Sequence, residues 1–408
     1  MTDSAEKQGG ASAAGEGFGV AIDVGTSSIW SRLVDLDGGE VKDTLVIANP
    51  QQQFGADISS RLGKAAEEPE VRQAMHLQLI GTLNESIQKL CANAGASAEE
   101  ISEVVAVGNS AMYVFLLDLD PAPLCGTPHN IRGARDFYGP AASQGVESAP
   151  EAKLFIPRPL FGFVGSDALA DILLIGMAQS DEHELIVDVG TNCEMALGNR
   201  DKILVASSPA GPAYEDAHMS FGLSATEGAI YKATLEGDRF DCTVVGGAEP
   251  RGICGSGLID IIAEMRRHGW VDAGGRLLKE GPVVVADGDE QVTISQHDIR
   301  SFQLVKASVH AAISVLQEKL GSRELSRMLI TGTFGSYINL DNARLLKMFP
   351  DLPNDRIEVL DDAACQGAAL MLGEEHRRGL EEVRALSRHV MLPLNKSFQD
   401  EFVRLMEI

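Results

Sequence analysis

The sequence predicts an α/β fold of two related lobes, on three observations. Residues 18–48 (FGVAIDVGTSSIWSRLVDLDGGEVKDTLVIA) read as three strands joined by two tight turns, a β-meander. Residues 184–207 (ELIVDVGTNCEMALGNRDKILVAS) repeat that plan with the glycine turn in the same place, so that Asp23 and Asp188 are equivalent positions 165 residues apart. That interval is far longer than the roughly 20–50 residues of solenoid repeats, which makes it the duplication of a whole domain. Helical periodicity follows each meander, as a layered α/β architecture requires.

The elements then run in order. Met75, Leu79, Leu83, Ile87 and Leu90 recur every three or four residues and predict a helix over 71–94 with one buried face. A short strand at 104–107 ends in Gly108-Asn109-Ser110, and residues 120–150, rich in Pro, Gly and Ala, read as a meandering surface connection. A helix over 166–177, with Ser166 or Asp167 as N-cap, closes the first half. The second half carries helical candidates at 224–235, 257–268 and 298–320, then a strand at 327–331 that enters the turn TGTFGSYIN. A helix opens at Asp361-Asp362 and runs toward Glu375, followed by a basic, helix-prone tail. The expected division is a disordered lead-in at 1–17, a first lobe at 18–180, a second lobe at 181–375 and a helical tail at 376–408.

Composition narrows the function classes. The chain has 408 residues, enough for two or three domains, with 44% apolar and 23% charged residues, as in folded globular proteins. Its net charge of −25 repels polyanions, so nucleic acid is a poor partner. No stretch approaches the ~20 apolar residues of a bilayer span, since even DALADILLIGMA carries Asp167 and Asp171. The first 17 residues lack an apolar core and are not a signal peptide, so the expected location is the cytoplasm. Cys91, Cys125, Cys193, Cys242, Cys254 and Cys365 form no C-x-x-C pair and no plant-type iron–sulfur spacing; most are expected to be reduced and buried. The nine histidines make no zinc-binding pattern.

Three glycine turns each follow an apolar strand: IDVGTSS (22–28), IVDVGTN (186–192) and ITGTFGS (330–336). Such a turn offers backbone N–H groups to phosphate oxygens, because glycine permits close approach and hydroxyls add donors. An Asp at the strand end repels phosphate by itself, so Asp23 and Asp188 make chemical sense as ligands of Mg2+, directly or through water. Any one turn alone could be a tight hairpin with a capping Asp; the repetition favours the phosphate reading. GICGSG (252–257) is either a helix N-terminus that holds an anion through Gly255, Ser256 and Gly257, or a close backbone crossing. Glu194 and Glu215 lie just beyond glycine turns and can position an attacking water or support a metal, or serve as solvated or capping carboxylates. Cys242 and Cys254 read as buried thiols in preference to cluster ligands.

As a set, these turns resemble the two phosphate motifs and the adenosine motif of the acetate and sugar kinase, heat-shock-protein and actin superfamily. The resemblance implies two actin-like, ribonuclease H-like lobes with a nucleotide cleft between them, binding ATP and Mg2+. Carried over motif by motif, Asp23, Gly25, Thr26 and Ser27 would form the first phosphate loop. Asp188, Gly190, Thr191 and Asn192 would form the second, and Gly332, Thr333 and Gly335 would approach the adenosine. Gly108-Asn109-Ser110 and the segment from Asp362 to Ala368 sit where the superfamily has its connecting segments.

A finer resemblance covers residues 20 to about 372. NPQQQFGADISSRL (49–62), VDVGTNCEMAL (187–197), SSPAGPAYE (207–215, containing Gly211), GICGSGLID (252–260) and TGTFGSYIN (331–339) are similar to the reductive activators of corrinoid proteins. That implies ATP-dependent return of a cobalt(II) corrinoid to cobalt(I), a corrinoid protein as partner, and a homodimer. Activators of this kind carry an N-terminal ferredoxin-like domain with a [2Fe–2S] cluster, whereas this chain reaches Asp23 after 22 residues and has no cysteine before Cys91. The electron is therefore expected from a missing domain or a separate ferredoxin-type donor. Cys193 and Asp216 replace residues that are more often glycine in the family, and Asp216 adds negative charge beside a phosphate site. A small-molecule kinase of the same superfamily and a nonenzymatic ATP-binding scaffold are the alternatives.

Overall fold

The computed structural model describes residues 17–55, 57–126, 129, 131, 133–190, 192–208, 219–332, 337–393 and 395–408. The chain divides into two compact units, one ending at Gln179 and completed by Asp362–Ser387, the other Ser180–Asp361 completed by Arg388–Ile408.

The first unit opens with the expected meander, β1 (Phe18–Val24), β2 (Ser28–Asp35) and β3 (Val41–Ala48), paired antiparallel in sequence. β1 is buried along most of its length, in keeping with its unbroken apolar run, because it lies in the middle of a sheet. Next come α1 (Ile58–Glu67) and α2 (Pro69–Ala94). The five α2 residues picked out by their spacing, Met75, Leu79, Leu83, Ile87 and Leu90, are all fully buried, and each contributes about 1.5–3 kcal/mol relative to exposure. Gly95, left-handed at φ 70°, ends the helix. β4 (Ile101–Gly108) runs parallel to β1, and α3 (Ser110–Leu116) and α4 (Ala122–Cys125) follow. β5 (Phe137–Pro140) and β6 (Lys153–Ile156) complete the sheet in the order β3-β2-β1-β4-β6-β5. The connection over 120–150 thus carries a strand and the buried residues Leu124, Ala141 and Val146, where a surface meander was expected. α5 (Ser166–Leu174) is capped by Gly165 with no side-chain bond, so neither Ser166 nor Asp167 is the N-cap.

The second unit repeats the plan. β7 (Glu184–Val189), β8 (Cys193–Asn199) and β9 (Lys202–Ser208) form the second meander. β10 (Ala229–Glu236), β11 (Arg239–Val244) and β12 (Gly252–Ile253) make a small sheet. The helix expected over 224–235 is therefore a strand. Gly228 and Gly237, at φ 88° and 66°, bracket a Thr- and Tyr-containing segment whose burial alternates at its end, and β10 closes a hairpin with β11. α6 (Gly255–Arg267) follows, then the hairpin β13 (Val283–Ala286) and β14 (Val292–Ile294). α7 (Gln296–Leu320) begins at a capping box made by Ser295 and Asp298. β15 (Arg327–Gly332) pairs parallel with β7; α8 (Leu340–Leu345) and β16 (Ile357–Val359) complete this region.

The chain returns to the first unit with α9 (Ala363–Leu370) and α10 (Glu374–Leu386). These two helices, separated at Met371–Gly373, replace the single helix expected to run to Glu375. Gly367 lies against Ala170 of α5 so closely that a β-carbon there would sit 2.2 Å from the Ala170 oxygen. β17 (Ser387–His389) and α11 (Lys396–Arg404) end the chain. The second sheet has the order β16-β15-β7-β8-β9-β17. Read from the third meander strand inward, both sheets place strands as third, second, first and then a parallel fourth and fifth, so the duplication seen in the residues is one of topology. Each unit has its own apolar cluster, centred on β1, β4 and α2 in one and on β7, β8, α6 and α7 in the other.

Candidate functional site

In the first unit, Gly25, Thr26 and Ser27 form the link between β1 and β2, with the Gly25 N–H donating to the Ser28 oxygen at 3.0 Å. A β-carbon on Gly25 would meet that oxygen at 2.6 Å, so the turn requires glycine. Every carbonyl of the link is held from the segment that follows β3. The Gly25 oxygen accepts from Asn49 Nδ2 at 2.8 Å, the Thr26 oxygen from Arg61 Nη1 at 2.8 Å, and the Ser27 oxygen from the Asn49 N–H at 2.8 Å. Because a trans peptide sets its N–H opposite its C=O, fixing three carbonyls on one side turns the N–H groups of Thr26, Ser27 and Ser28 to the other. N–H groups set on one side of a turn can receive an anion. Asn109 Nδ2 donates to Thr26 Oγ1 at 3.1 Å while Asn109 Oδ1 caps α3 by accepting from Ala111 and Met112. Asp23 stands half-buried beside Trp30 and Val107 in register.

The second unit carries the corresponding link in a tighter form, its glycine N–H bonding two residues on where that of Gly25 bonds three. The Gly190 N–H donates to the Asn192 oxygen at 3.0 Å, between β7 and β8. Asp188 faces Glu194 across the antiparallel pair and Thr331 across the parallel one. Glu194 is buried and accepts from Ser207 Oγ at 3.1 Å. Gly332, at φ 88°, closes over Asp188: a β-carbon there would lie 2.5 Å from Asp188 Oδ1 and 2.5 Å from the Val189 oxygen. Gly108 is its counterpart in the first unit, where a β-carbon would lie 2.6 Å from the Val24 oxygen. The oxygen donors Asp188 and Glu194 and the cradle that only glycine leaves over Asp188 fit a hard cation such as Mg2+. Among the described residues no group of three or more His, Cys, Asp or Glu side chains is gathered for a metal, so one or two carboxylates plus phosphate and water would have to suffice.

At the N-terminus of α6, Ser256 Oγ donates to the Tyr231 oxygen at 2.9 Å and Gly257 packs so tightly on β10 that a β-carbon would lie 2.1 Å from the Ile230 oxygen. Gly257 thus serves a backbone crossing, and Gly255 and Ser256 begin the helix. The Tyr231 ring packs on Tyr337, just after the third glycine turn, with centroids 4.4 Å apart. Thr191, Gly211, Glu215, Asp216, Thr333 and Gly335 lie outside the described residues.

Burial and charge tune the surrounding groups. Burial, then the charges of Glu194 and Asp188, push the Cys193 thiol well above its usual range, so it stays neutral. Burial pushes Cys242 up to about 11, and among the described residues all six cysteines are free thiols. Asp167, in the first turn of α5, is pushed up to about 6 by burial, against hydrogen bonds from the Ala168, Asp167 and Gly165 N–H groups. The neighbouring Ser166 Oγ bonds both the N–H and the C=O of Gly108 at 3.2 Å, which ties α5 to the end of β4. Arg32 pairs with Asp362 at 2.6 Å, anchoring α9 to β2 within the first unit. Arg61 and Asn49 are loop supports that sequence reasoning missed; their one signal is a place in the string NPQQQFGADISSRL.

Comparison with known proteins bears on both units. Residues 18–180 match the model of the RACo middle region, and residues 182–408 match that of the C-terminal domain of RACo, the ASKHA domain. A protein named corrinoid activation enzyme RamQ, from Eubacterium limosum, is 29% identical over 95% of this chain and 69% of its own length. A [Co(II) methylated amine-specific corrinoid protein] reductase from Methanosarcina barkeri is 24% identical over 95% of this chain and 76% of its own. Among solved structures, a reductive activator for corrinoid, iron-sulfur protein superposes with a TM-score of 0.86 at 30% identity, covering 97% of this chain and 67% of that one.

Proposed function

This chain belongs to the RACo family, with its ASKHA, actin-like α/β fold, and on that footing we propose that it is an ATP-dependent reductive activator of a corrinoid protein. It binds ATP, promotes passage of one electron from an iron–sulfur donor to a cobalt(II) corrinoid, and leaves cobalt(I). The observation that carries the reading is the pair of corresponding glycine turns on matching sheets, each ending a strand that bears Asp23 or Asp188.

In this reading the Thr26, Ser27 and Ser28 N–H groups and Asn109-held Thr26 receive phosphate oxygens, and Gly190 and Asn192 form the second phosphate turn. Asp188 and Glu194 of the second unit would hold Mg2+, directly or through water, and Asp23 is the corresponding carboxylate of the first; the ion would neutralise phosphate charge. Thr191, Gly211, Thr333, Gly335 and Glu215 complete the nucleotide contacts, and Tyr337 with Tyr231 lies beside the adenosine turn. A nucleotide can shift the state of a partner only by its differential affinity for the two states, so ATP must alter how tightly the corrinoid protein is held. The electron comes from a ferredoxin-type [2Fe–2S] donor, the working form is a homodimer, and the setting is cytoplasmic; among the described residues no helix is long and apolar enough to cross a membrane.

The test is visible absorbance of a cobalt(II) corrinoid protein mixed with this chain, Mg2+, a reductant and a separate ferredoxin. A cobalt(I) spectrum that requires both the chain and ATP is expected. Phosphoryl transfer from ATP to a small molecule, without cobalt(I), would overturn the reading in favour of a kinase.

A further inference from the structure

Arg61 is fully buried, at 0% exposure, in the first turn of α1. Its Nε donates to the Gly55 oxygen at 2.8 Å and its Nη1 to the Thr26 oxygen at 2.8 Å, while among the described residues its Nη2 has no hydrogen-bond partner. Asp57 attracts it through space, but the Asp57 oxygens are taken by the N–H and Oγ of Ser60. A buried guanidinium without a paired carboxylate is an expensive arrangement for a fold to keep, unless a negative charge arrives from outside. Among the described residues, what it grips besides its own approach segment is the turn whose N–H groups face the other way.

We infer that Arg61 is the positioning residue and buried counter-charge of the first phosphate loop: through the Thr26 carbonyl it turns the Ser27 N–H toward a polyphosphate, whose charge balances the guanidinium. The inference rests on the ATP-binding reading above. Arg61 does not touch the ligand; it acts through the loop. Two consequences distinguish this role from scaffolding. Among the described residues no carboxylate is hydrogen-bonded to the guanidinium of the free chain, so bound polyphosphate adds charge balance, and the contribution is to phosphate, not to nucleoside.

Binding of ATP, inorganic triphosphate and adenosine to the full chain is measured by calorimetry at fixed Mg2+, for the wild type, Arg61→Met and Arg61→Lys. Arg61→Met is expected to lose roughly tenfold or more in affinity for ATP and triphosphate, as when a charge-assisted hydrogen bond is removed. Adenosine binding should stay within about twofold. Arg61→Lys, which keeps the charge and one donor, should recover part of the loss. The rise in melting temperature on adding triphosphate should be smaller for Arg61→Met than for the wild type. Equal losses for adenosine and triphosphate, or a lysine variant no better than methionine, would mean a scaffold role and overturn the inference. Should Arg61→Met not fold, hydrogen exchange on the wild type decides: triphosphate, but not adenosine, should slow exchange at Thr26–Ser28 and at 57–62 together. Protection confined to the turn overturns the inference. Failure of the wild type to bind ATP or triphosphate at all overturns the nucleotide reading and this inference with it, whereas wild-type binding unaffected by Arg61→Met overturns the inference alone.

Discussion

Replacing Gly332 by alanine tests whether the third glycine turn sets the position of Asp188. Gly332 has φ 88°, a left-handed conformation that costs an alanine about 1–2 kcal/mol. The new β-carbon would lie 2.5 Å from both Asp188 Oδ1 and the Val189 oxygen, where ordinary contact begins at 3.4 Å. The end of β15 must therefore move off β7 by about 1 Å, loosening the Gly332–Val189 end of the ladder at a further ~0.5–1.5 kcal/mol. The total, about 1.5–3.5 kcal/mol, is smaller than the ~5–15 kcal/mol that holds a typical domain, so the variant folds and melts roughly 3–14 °C lower. On the proposed role of Asp188 as a Mg2+ ligand, the functional effect is larger than the stability effect, because Mg2+ tolerates little displacement of a carboxylate ligand. Calorimetric titration of ATP with and without Mg2+ should show the Mg2+-dependent part of the affinity falling by about 10–100-fold, the range seen when supports of metal ligands are removed. Gly95→Ala is the control: it has φ 70° with nothing within 4 Å, so it carries the same backbone strain and no clash. Unaltered Mg2+ dependence in Gly332→Ala, or equal loss in Gly95→Ala, would refute the reasoning.

Two further predictions concern pH. Lys306, buried on α7 and donating to the Glu407 oxygen, is pulled down to about 7 by burial and by the charge of Lys347, against the attraction of Glu407. Its folded value lies below its unfolded value of 10.5, so the unfolded chain binds more protons between about 7 and 10.5 and stability from this group rises with pH across that window. The difference in melting temperature between wild type and Lys306→Met should shift in favour of the wild type from pH 7 to pH 10; a difference that is flat with pH refutes the buried lysine. Asp167 is the opposite case, raised from 3.8 to about 6 in the fold, so its stabilising protonated form is lost as pH climbs through that interval. Asp167→Asn should melt higher than wild type at pH 7 and approach it at pH 4, and a gap that does not change with pH counts against a raised carboxyl there.

Much of the fold was legible because its signals are local. The two meanders announce themselves by apolar runs broken at a glycine turn, and α2 by the fixed spacing from Met75 to Leu90. The strand β10 was misread because AIYKATLE has apolar residues at spacings compatible with either period; the flanking glycines Gly228 and Gly237, which permit positive φ, were the better signal. α1 was missed because ISSRLGKAAE is short and only weakly apolar, and its start depends on the Asp57 cap. At the site, the equivalence of Asp23 and Asp188 could be read directly, since it is a matter of repeated spacing. The hold of Asn49 and Arg61 on the first turn could not, because it joins residues 24 and 35 positions apart through hydrogen bonds that no periodicity records. The crowding of Gly332 over Asp188 is likewise a product of strand pairing.

The duplicated units keep their topology but differ in charge at the equivalent place. Opposite Asp23 across the meander stands Trp30; opposite Asp188 stands Glu194. Behind the first turn lies the buried cation Arg61, whereas beside the second lie two carboxylates. An anion at the first turn would meet N–H groups whose carbonyls are held from behind by a cation, with the single carboxylate of Asp23 at the end of β1. An anion approaching the second meets the corresponding turn flanked by negative charge, and repulsion prevails unless a cation sits on Asp188 and Glu194. The two copies of one scaffold therefore differ in charge, with one carboxylate and a buried cation at the first turn and two carboxylates at the second. The difference comes from the tighter second link, which sets Glu194, six residues after Asp188, opposite it where Trp30, seven residues after Asp23, stands in the first unit, and from one arginine brought in by α1.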